Sequence, residues 1–216
     1  MPLVGLQSPL LSGADLPPTL TELAARHADA VQQYQPTGPI RLLGWSFGGA
    51  LALCVAAELT ARGRTVAFTG MLDARRDTGS PSTLAGLLTE MGYAVGETDL
   101  TMPEAVAFVR AAGGSVATLT EEQIARMLEN YLASDRLMAS AAYPAYPGKV
   151  FFVEATVPEQ GFTGPAAPAW RDRAAELEVH ELAVTHSALL DPATLEKLGP
   201  LLAKALTLDL DGKIVG

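Results

Sequence analysis

The chain has 216 residues, of which 49% are hydrophobic and 18% are charged, and its formal net charge at pH 7 is −9. This length and composition predict one folded domain with a substantial apolar core and exclude a disordered chain. The acidic balance argues against binding to nucleic acids, and no apolar run approaches the roughly 18 residues that a membrane-spanning helix needs. We see no secretory signal, and a single cysteine, Cys54, favours a reducing cytoplasm.

The first 73 residues predict part of an α/β fold. A short apolar run at 3–6 is interpreted as a strand, and a helix is expected to begin after Thr19 and to end before Pro36. The apolar runs 40–45 and 66–72 predict two buried strands, joined by a helix rich in Ala and Leu. A strand, a helix and a strand within about 33 residues are typical of a βαβ unit with parallel strands.

The strand signal is absent from about residue 74 to about residue 146. Helices are predicted in this insertion at 83–91, 103–112 and 121–141, followed by strands at 149–155 and 177–184, a short helix at 169–176 and a last helix from 191 to about 206. We therefore expect one domain over 1–216, a mostly parallel sheet with helices on both faces. Its core would comprise 1–73 and 148–216, and a helical lid would span about 74–147.

A serine motif lies at the end of the first buried strand. Positions 44–48 read Gly-Trp-Ser-Phe-Gly, which matches the pattern G-x-S-x-G. This pattern predicts a sharp strand-to-helix turn that exposes the hydroxyl of Ser46, with small residues two before and two after the serine so that strand and helix can approach. We interpret Ser46 as a nucleophile rather than an incidental serine, and expect the backbone N–H of Phe47 to be one oxyanion-hole donor.

A serine nucleophile needs a base, and the chain has three histidines. His27 lies on the apolar face of the first helix and is interpreted as structural. His180 lies inside a predicted strand, where its side chain is committed to one face of the sheet. His186 lies in a loop after the last strand, where an α/β-hydrolase presents its base, so we favour His186.

The acid that orients the base has three candidates. Asp73 directly follows the strand 66–72, at the sheet edge where Ser46 emerges, although an Asp after a strand is also a common helix cap. Glu154 and Glu159 lie at or after the strand 149–155, where many α/β-hydrolases place the acid. The residues by themselves favour Asp73 but leave the two glutamates open.

Further stretches accompany the serine motif. They are Val-Gly-Leu-Gln at 4–7, Gln-Pro-Thr-Gly-Pro at 35–39, Leu-Leu before the motif and a second Gly after it, Met-Leu-Asp at 71–73, Gly-Lys-Val at 148–150 and Thr-His at 185–186. With this combination the chain resembles the terminal (type I) thioesterase domain of nonribosomal peptide synthetases, members of the α/β-hydrolase superfamily. Segments 5–9, 169–170 and 194–200 are similar to thioesterases of siderophore synthetases of the enterobactin type.

The resemblance implies a reaction and its partner. It places the acid at Asp73. Ser46, deprotonated by His186, would attack the thioester that links a peptidyl or acyl chain to the phosphopantetheine arm of a carrier protein. The acyl-serine would then be released by hydrolysis or macrocyclisation. The partner implied is a carrier-protein domain, and no bound cofactor or metal is expected.

The insertion would act as the lid in this family. Its apolar candidates for contact with the acyl chain are better explained one by one as residues that pack the lid helices against the sheet domain: Leu87, Leu88, Met91, Tyr93, Phe108, Met127, Leu128, Tyr131 and Leu132. Members of the family have further strands before the Gly-Leu-Gln segment, including the loop with the second oxyanion donor. Because only 45 residues precede Ser46, we expect a chain without those elements and assign no second donor. Two alternatives are a type II editing thioesterase and an inactive carrier-binding module.

Overall fold

A computed structural model describes residues 3–76, 83–91, 93–96, 100–159 and 164–207. The chain divides into two compact units. One, here called the helical unit, comprises Met1–Thr19 and Asp77–Ser140, and the other, the sheet unit, comprises Leu20–Arg76 and Ala141–Gly216. The predicted core included all of the first 73 residues, whereas the structure groups the first 19 with the helices.

The regular elements follow one another in an α/β order. They are α1 (Leu20–Tyr34), β1 (Ile40–Trp45), α2 (Phe47–Ala61), β2 (Val66–Leu72), α3 (Leu84–Glu90), α4 (Met102–Ala112), α5 (Glu121–Ala139), β3 (Tyr146–Ala155), β4 (Ala174–Leu182) and α6 (Pro192–Thr207). Short 3-10 turns lie at Pro9–Ser12, Ser115–Thr118, Ala167–Trp170 and Ser187–Leu190.

The four described strands form one sheet in the order β1-β2-β3-β4, and every neighbouring pair is parallel. This confirms the predicted α/β fold with a parallel sheet. Strands β1 and β2 have the predicted bounds, and in their register Trp45 lies beside Leu72. Because both strands end at this row, the residues that follow them emerge at the same edge of the sheet.

The βαβ unit forms because each of its elements is apolar on the faces that become covered. Helix α2 carries buried residues on all of its sides, including Ala50, Leu53, Val55 and Leu59, as expected of a helix enclosed within a fold. A separate cluster of buried side chains joins β2 and β3 to the 3-10 turn Ser187–Leu190 and to α6: Phe68, Leu72, Phe151, Val153, Ala155, Leu189 and Leu198.

The helical unit has its own apolar core. Its buried members are Leu87, Leu88, Ala105, Val106, Val109, Ile124 and Leu128. Helices α4 and α5 begin at the capping boxes that the sequence predicts, Thr101 with Glu104 and Thr120 with Gln123. All the lid candidates except Tyr131 belong to this core or pack against it, so most of them are packing residues of the unit itself.

Two predicted elements are wrong. The run 3–6 is not a strand: its backbone is irregular, and Leu3 is 94% exposed. An apolar run becomes a strand only if a neighbouring strand pairs with it. The predicted helix at 169–176 is also wrong, because a 3-10 turn ends at Trp170 and Ala174 already pairs with Tyr146 in the sheet. Among the described residues, no helix has both the length and the apolar character needed to cross a membrane.

Candidate active site

Ser46 occupies a strained turn between β1 and α2. Its backbone has φ 55° and ψ −125°, a positive-φ conformation that a non-glycine residue adopts only when its surroundings enforce it. Its N–H donates to the carbonyl oxygen of Leu72 at 2.9 Å, which ties the turn to the end of β2. The turn therefore places the Ser46 hydroxyl at the edge of the sheet, as the motif predicts.

The glycines around Ser46 have different roles. A Cβ on Gly44 would lie 2.0 Å from the carbonyl oxygen of Gly48, so strand and helix could not approach with any larger residue there. A Cβ on Gly49 would lie 2.9 Å from the Cβ of Ala74. A Cβ on Gly48 would meet nothing within 4 Å. Close approach of strand and helix therefore requires a glycine two residues before the serine (Gly44) and three residues after it (Gly49). The expected requirement two residues after the serine, at Gly48, is not found.

Two hydrogen bonds join the three residues favoured by the sequence. The Nε2 of His186 lies 3.0 Å from the Oγ of Ser46, and its Nδ1 lies 2.8 Å from the Oδ2 of Asp73. Asp73 is fully buried and His186 is 5% exposed. Since a neutral imidazole has one donor and one acceptor nitrogen, this arrangement suits Nδ1–H donating to the carboxylate and Nε2 accepting from the hydroxyl.

The carboxylate of Asp73 is held from several sides. Its residue turns sharply after β2, with φ 43°, and its N–H donates to the carbonyl oxygen of Val153 at 2.7 Å. Oδ1 accepts from the N–H of Ala155 at 3.2 Å. The guanidinium of Arg75 lies 3.5 Å from Oδ2. Charge and hydrogen bonds therefore compensate for the burial of this group.

The other candidates have different partners. The Nε2 of His180 lies 2.7 Å from a carboxylate oxygen of Glu178, and its ring stacks on Phe151. His27 is buried in α1, and this burial lowers its pKa. His180 thus has partners other than Ser46, and His27 is a buried residue of a helix, so neither takes the place of His186 beside the serine.

The two rival acids are also engaged elsewhere. Glu154 is buried, and its Oε1 accepts from the N–H groups of Ala166 and Ala167, the latter at 3.0 Å. Glu159 accepts from Ser187, the residue after His186. Asp73 is therefore the carboxylate at the Nδ1 of His186, while both glutamates bind backbone groups of nearby loops.

The N-terminus of α2 supplies the remaining feature. Helix α2 begins at Phe47, directly after Ser46. The first N–H groups of a helix have no acceptor within the helix, and they lie at the positive end of its dipole. A serine alkoxide and the oxyanion that its attack creates are both negatively charged, so this end of α2 suits the chemistry.

Among the described residues, no three His, Cys, Asp or Glu side chains are grouped so as to hold a metal ion.

Comparisons with known proteins identify the family of the chain. A family model described as a thioesterase domain matches residues 1–201 of the chain. The chain belongs to the thioesterase domain family.

Within this family, several relatives are large synthetases. The chain is 33% identical over 214 residues to enterobactin synthase component F of Escherichia coli (strain K12). This match covers 94% of the chain and 15% of that protein. It is 29% identical to a dimodular nonribosomal peptide synthase of Bacillus subtilis, over 95% of the chain and 9% of the relative. Vanchrobactin synthetase VabF of Vibrio anguillarum is 30% identical over 92% of the chain and 7% of that protein. The chain thus spans a small part of the curated relatives it matches.

Solved structures of isolated thioesterase domains are similar over most of their length. The NocB thioesterase domain from the nocardicin cluster, in covalent complex with a fluorophosphonate nocardicin G analog, is 27% identical with a TM-score of 0.65. The match covers 92% of this chain and 79% of that one. The thioesterase domain SrfTE is 19% identical with a TM-score of 0.58, and it supports the fold alone.

Proposed function

We propose that this chain releases a peptidyl or acyl chain from a carrier protein through an acyl-serine intermediate. The Nε2 of His186 takes the proton of the Ser46 hydroxyl as Oγ attacks the thioester carbonyl carbon. The resulting oxyanion accepts from the N–H of Phe47. When the C–S bond breaks, the imidazolium returns its proton to the departing thiolate, and the acyl group remains on Ser46.

The second half repeats the same proton transfers. His186 takes a proton from water, or from a hydroxyl or amine of the bound chain, as that group attacks the acyl-serine. The bond between the acyl carbon and the Oγ of Ser46 then breaks, and the imidazolium returns the proton to that oxygen. Water gives a free acid, and an internal nucleophile gives a macrocycle. Asp73 holds the imidazole in the tautomer with Nδ1–H and stabilises the imidazolium that forms in each half.

One observation carries this proposal. The continuous path from the Ser46 Oγ to the Asp73 Oδ2 through both nitrogens of His186 has hydrogen bonds of 3.0 and 2.8 Å. It starts at a residue that the backbone holds in a strained conformation, and such strain concentrates at functional sites. The path lies entirely within the sheet unit.

The substrate and partner are proposed from the relatives. All three are named as synthases or synthetases, one of them as a dimodular nonribosomal peptide synthase, and the chain matches 7–15% of each, so further domains accompany the matched segment there. A thioesterase beside such domains would receive its acyl chain from a carrier-protein domain, on a phosphopantetheine arm.

With no disulfide possible within a chain that has one cysteine, we place this reaction in the cytoplasm.

The nucleophile is tested by covalent labelling. We expect wild type to gain the mass of one fluorophosphonate adduct and Ser46→Ala to gain none, as measured by intact-protein mass spectrometry. An unlabelled wild type would indicate an inactive binding module. Equal labelling of Ser46→Ala would contradict the assignment of Ser46.

The substrate class is tested by turnover. A series of short acyl and longer peptidyl thioesters, with product masses recorded, separates hydrolysis from cyclisation and chain release from editing. We expect the peptidyl thioesters to give the highest kcat/KM. A preference for short acyl groups would instead indicate an editing thioesterase.

The base is tested with a matched histidine pair. We expect His186→Ala to lose turnover by about 10³-fold or more, because no other group then accepts the Ser46 proton. His180→Ala should keep turnover within about threefold of wild type, since its partners are Glu178 and Phe151. The reverse pattern would move the base to His180.

A further inference from the structure

The segment that follows β3 runs beside the segment that carries His186. The N–H of Thr156 donates to the carbonyl oxygen of Leu182 at 2.9 Å, and the N–H of Val157 donates to the carbonyl oxygen of Val184 at 3.0 Å. These bonds continue the pairing of β3 with β4 beyond the ends of both strands. The two segments therefore remain together up to the position of the histidine.

Glu159 ends this paired stretch with a double contact. Its Oε2 accepts from the N–H of Ser187 at 2.9 Å, and its Oε1 accepts from the Oγ of Ser187 at 2.6 Å. Both carboxylate oxygens thus bind one residue, and that residue directly follows His186. The Oγ of Ser187 also lies 3.3 Å from the Oγ1 of Thr185, on the other side of the histidine.

The position of His186 depends on this loop because the residue lies outside the regular strands. It follows β4 by several residues and precedes the 3-10 turn Ser187–Leu190. Its ring must reach Ser46 and Asp73 at the same time, so a small displacement of the backbone lengthens at least one of the two hydrogen bonds. A displacement of about 1 Å in a catalytic arrangement can reduce the rate by roughly 10²-fold.

We propose that Glu159 is a positioning residue for the base. By holding Ser187 through two hydrogen bonds, it keeps the imidazole of His186 within reach of the Ser46 hydroxyl and the Asp73 carboxylate. This inference rests on the proposed function. The competing explanation is a purely structural one, in which the carboxylate only stabilises the first N–H of a 3-10 turn.

Four variants separate these explanations. Glu159→Ala removes both acceptors, and Glu159→Gln keeps one oxygen acceptor. Ser187→Ala removes the hydroxyl and with it the contacts to Glu159 Oε1 and Thr185 Oγ1, but keeps the backbone N–H bond to Glu159. The double variant Glu159→Ala/Ser187→Ala completes a cycle. Glu196→Ala, which removes an exposed carboxylate of α6, is the matched control.

The readouts are the bimolecular rate constant for fluorophosphonate labelling and the kcat and KM for a small acyl thioester. Thermal unfolding is followed alongside, and all kinetics are measured well below the lowest unfolding temperature. We expect Glu159→Ala to lower the labelling rate and kcat by roughly 10- to 100-fold with KM within about twofold of wild type. Glu159→Gln should lose less, and the control should match wild type.

The cycle gives the decisive comparison. We expect Ser187→Ala to lower the labelling rate by less than Glu159→Ala does, and the double variant to equal Glu159→Ala, because both changes act through the same contact. A labelling rate within about twofold of wild type in Glu159→Ala would overturn the inference, as would additive effects or a loss that appears only in thermal stability. A wild type that is not labelled at all would instead contradict the proposed function.

Discussion

The indole ring of Trp45 stacks on the imidazole of His186, with ring centroids 5.1 Å apart and ring planes inclined by 25°. Trp45 is the residue before Ser46, so the same turn that presents the hydroxyl also covers one face of its hydrogen-bond partner. Trp45 itself packs against the apolar cluster around Phe68 and Leu189. The pattern G-x-S-x-G allows any residue before the serine, and only the folded chain shows that this residue contacts the base.

We expect Trp45→Phe to retain most of the labelling rate of Ser46, because the smaller ring still covers His186. The indole N–H is buried without an acceptor among the described residues, so its loss removes no hydrogen bond. Trp45→Ala should lower the rate by about 10-fold or more, since the imidazole loses its support on that side. The rate constant for fluorophosphonate labelling is the measurement. Wild-type labelling of Trp45→Ala would show that stacking does not position the base.

Amide substitution should affect turnover strongly at one of two carboxylates near the site and only slightly at the other. Asp73→Asn should lower kcat by roughly 10⁴-fold, as in serine proteases, because the amide no longer stabilises the Nδ1–H tautomer of His186. Glu154→Gln should keep kcat within about threefold, since its oxygen can still accept from Ala166 and Ala167. Steady-state turnover of a thioester measures both. Full activity in Asp73→Asn with a collapse in Glu154→Gln would assign the acid to β3.

Gly44 and Gly48 form a matched pair within the turn. Gly44→Ala should lower the free energy of unfolding by about 3 kcal/mol or more, because its Cβ would overlap the backbone of Gly48. Gly48→Ala places its Cβ in open space at the start of α2, so we expect stability to be unchanged or raised by about 0.5–1 kcal/mol. Chemical denaturation gives both values. A greater loss of stability in Gly48→Ala than in Gly44→Ala would contradict this assignment.

Asp135 on α5 predicts a pH dependence of stability. Burial raises the pKa of this carboxyl from 3.8 to about 6, so the folded chain holds its proton more tightly than the unfolded chain does. Its contribution to stability is therefore fully present below about pH 4 and is lost as the pH rises to about 6. Nearby Tyr131 has a raised pKa, first because of burial and then because of the negative charge of Asp135.

We expect Asp135→Asn to raise the unfolding temperature at pH 7, because the amide carries no charge to desolvate. The difference from wild type should shrink as the pH falls from about 6 to about 4, because Asp135 in the folded chain becomes neutral over this range. Glu129→Gln, at an exposed position of the same helix, is the control. Thermal unfolding followed from pH 4 to pH 8 tests this. An equal unfolding temperature for Asp135→Asn and wild type at pH 7 would contradict it.

The sequence by itself determined the local elements and the order of the chemistry along the chain. Continuous apolar runs, capping boxes and the glycines at 44–48 act within a few residues, so β1, β2 and the helix starts could be predicted from them. The same local rules placed Ser46 after a strand and His186 in a loop.

Only the tertiary structure decided which carboxylate meets His186. The three candidate acids lie at or after the ends of the neighbouring parallel strands β2 and β3: Asp73, Glu154 and Glu159. Because the ends of such strands share one edge of the sheet, sequence position could not decide which of the three reaches His186. The backbone turn at Asp73 directs its carboxylate to the imidazole, whereas the two glutamates bind loop N–H groups. Pairing also decided that residues 3–6 are not a strand and that β4 begins at Ala174. Contacts between distant segments select among local possibilities that are equally good in the isolated chain.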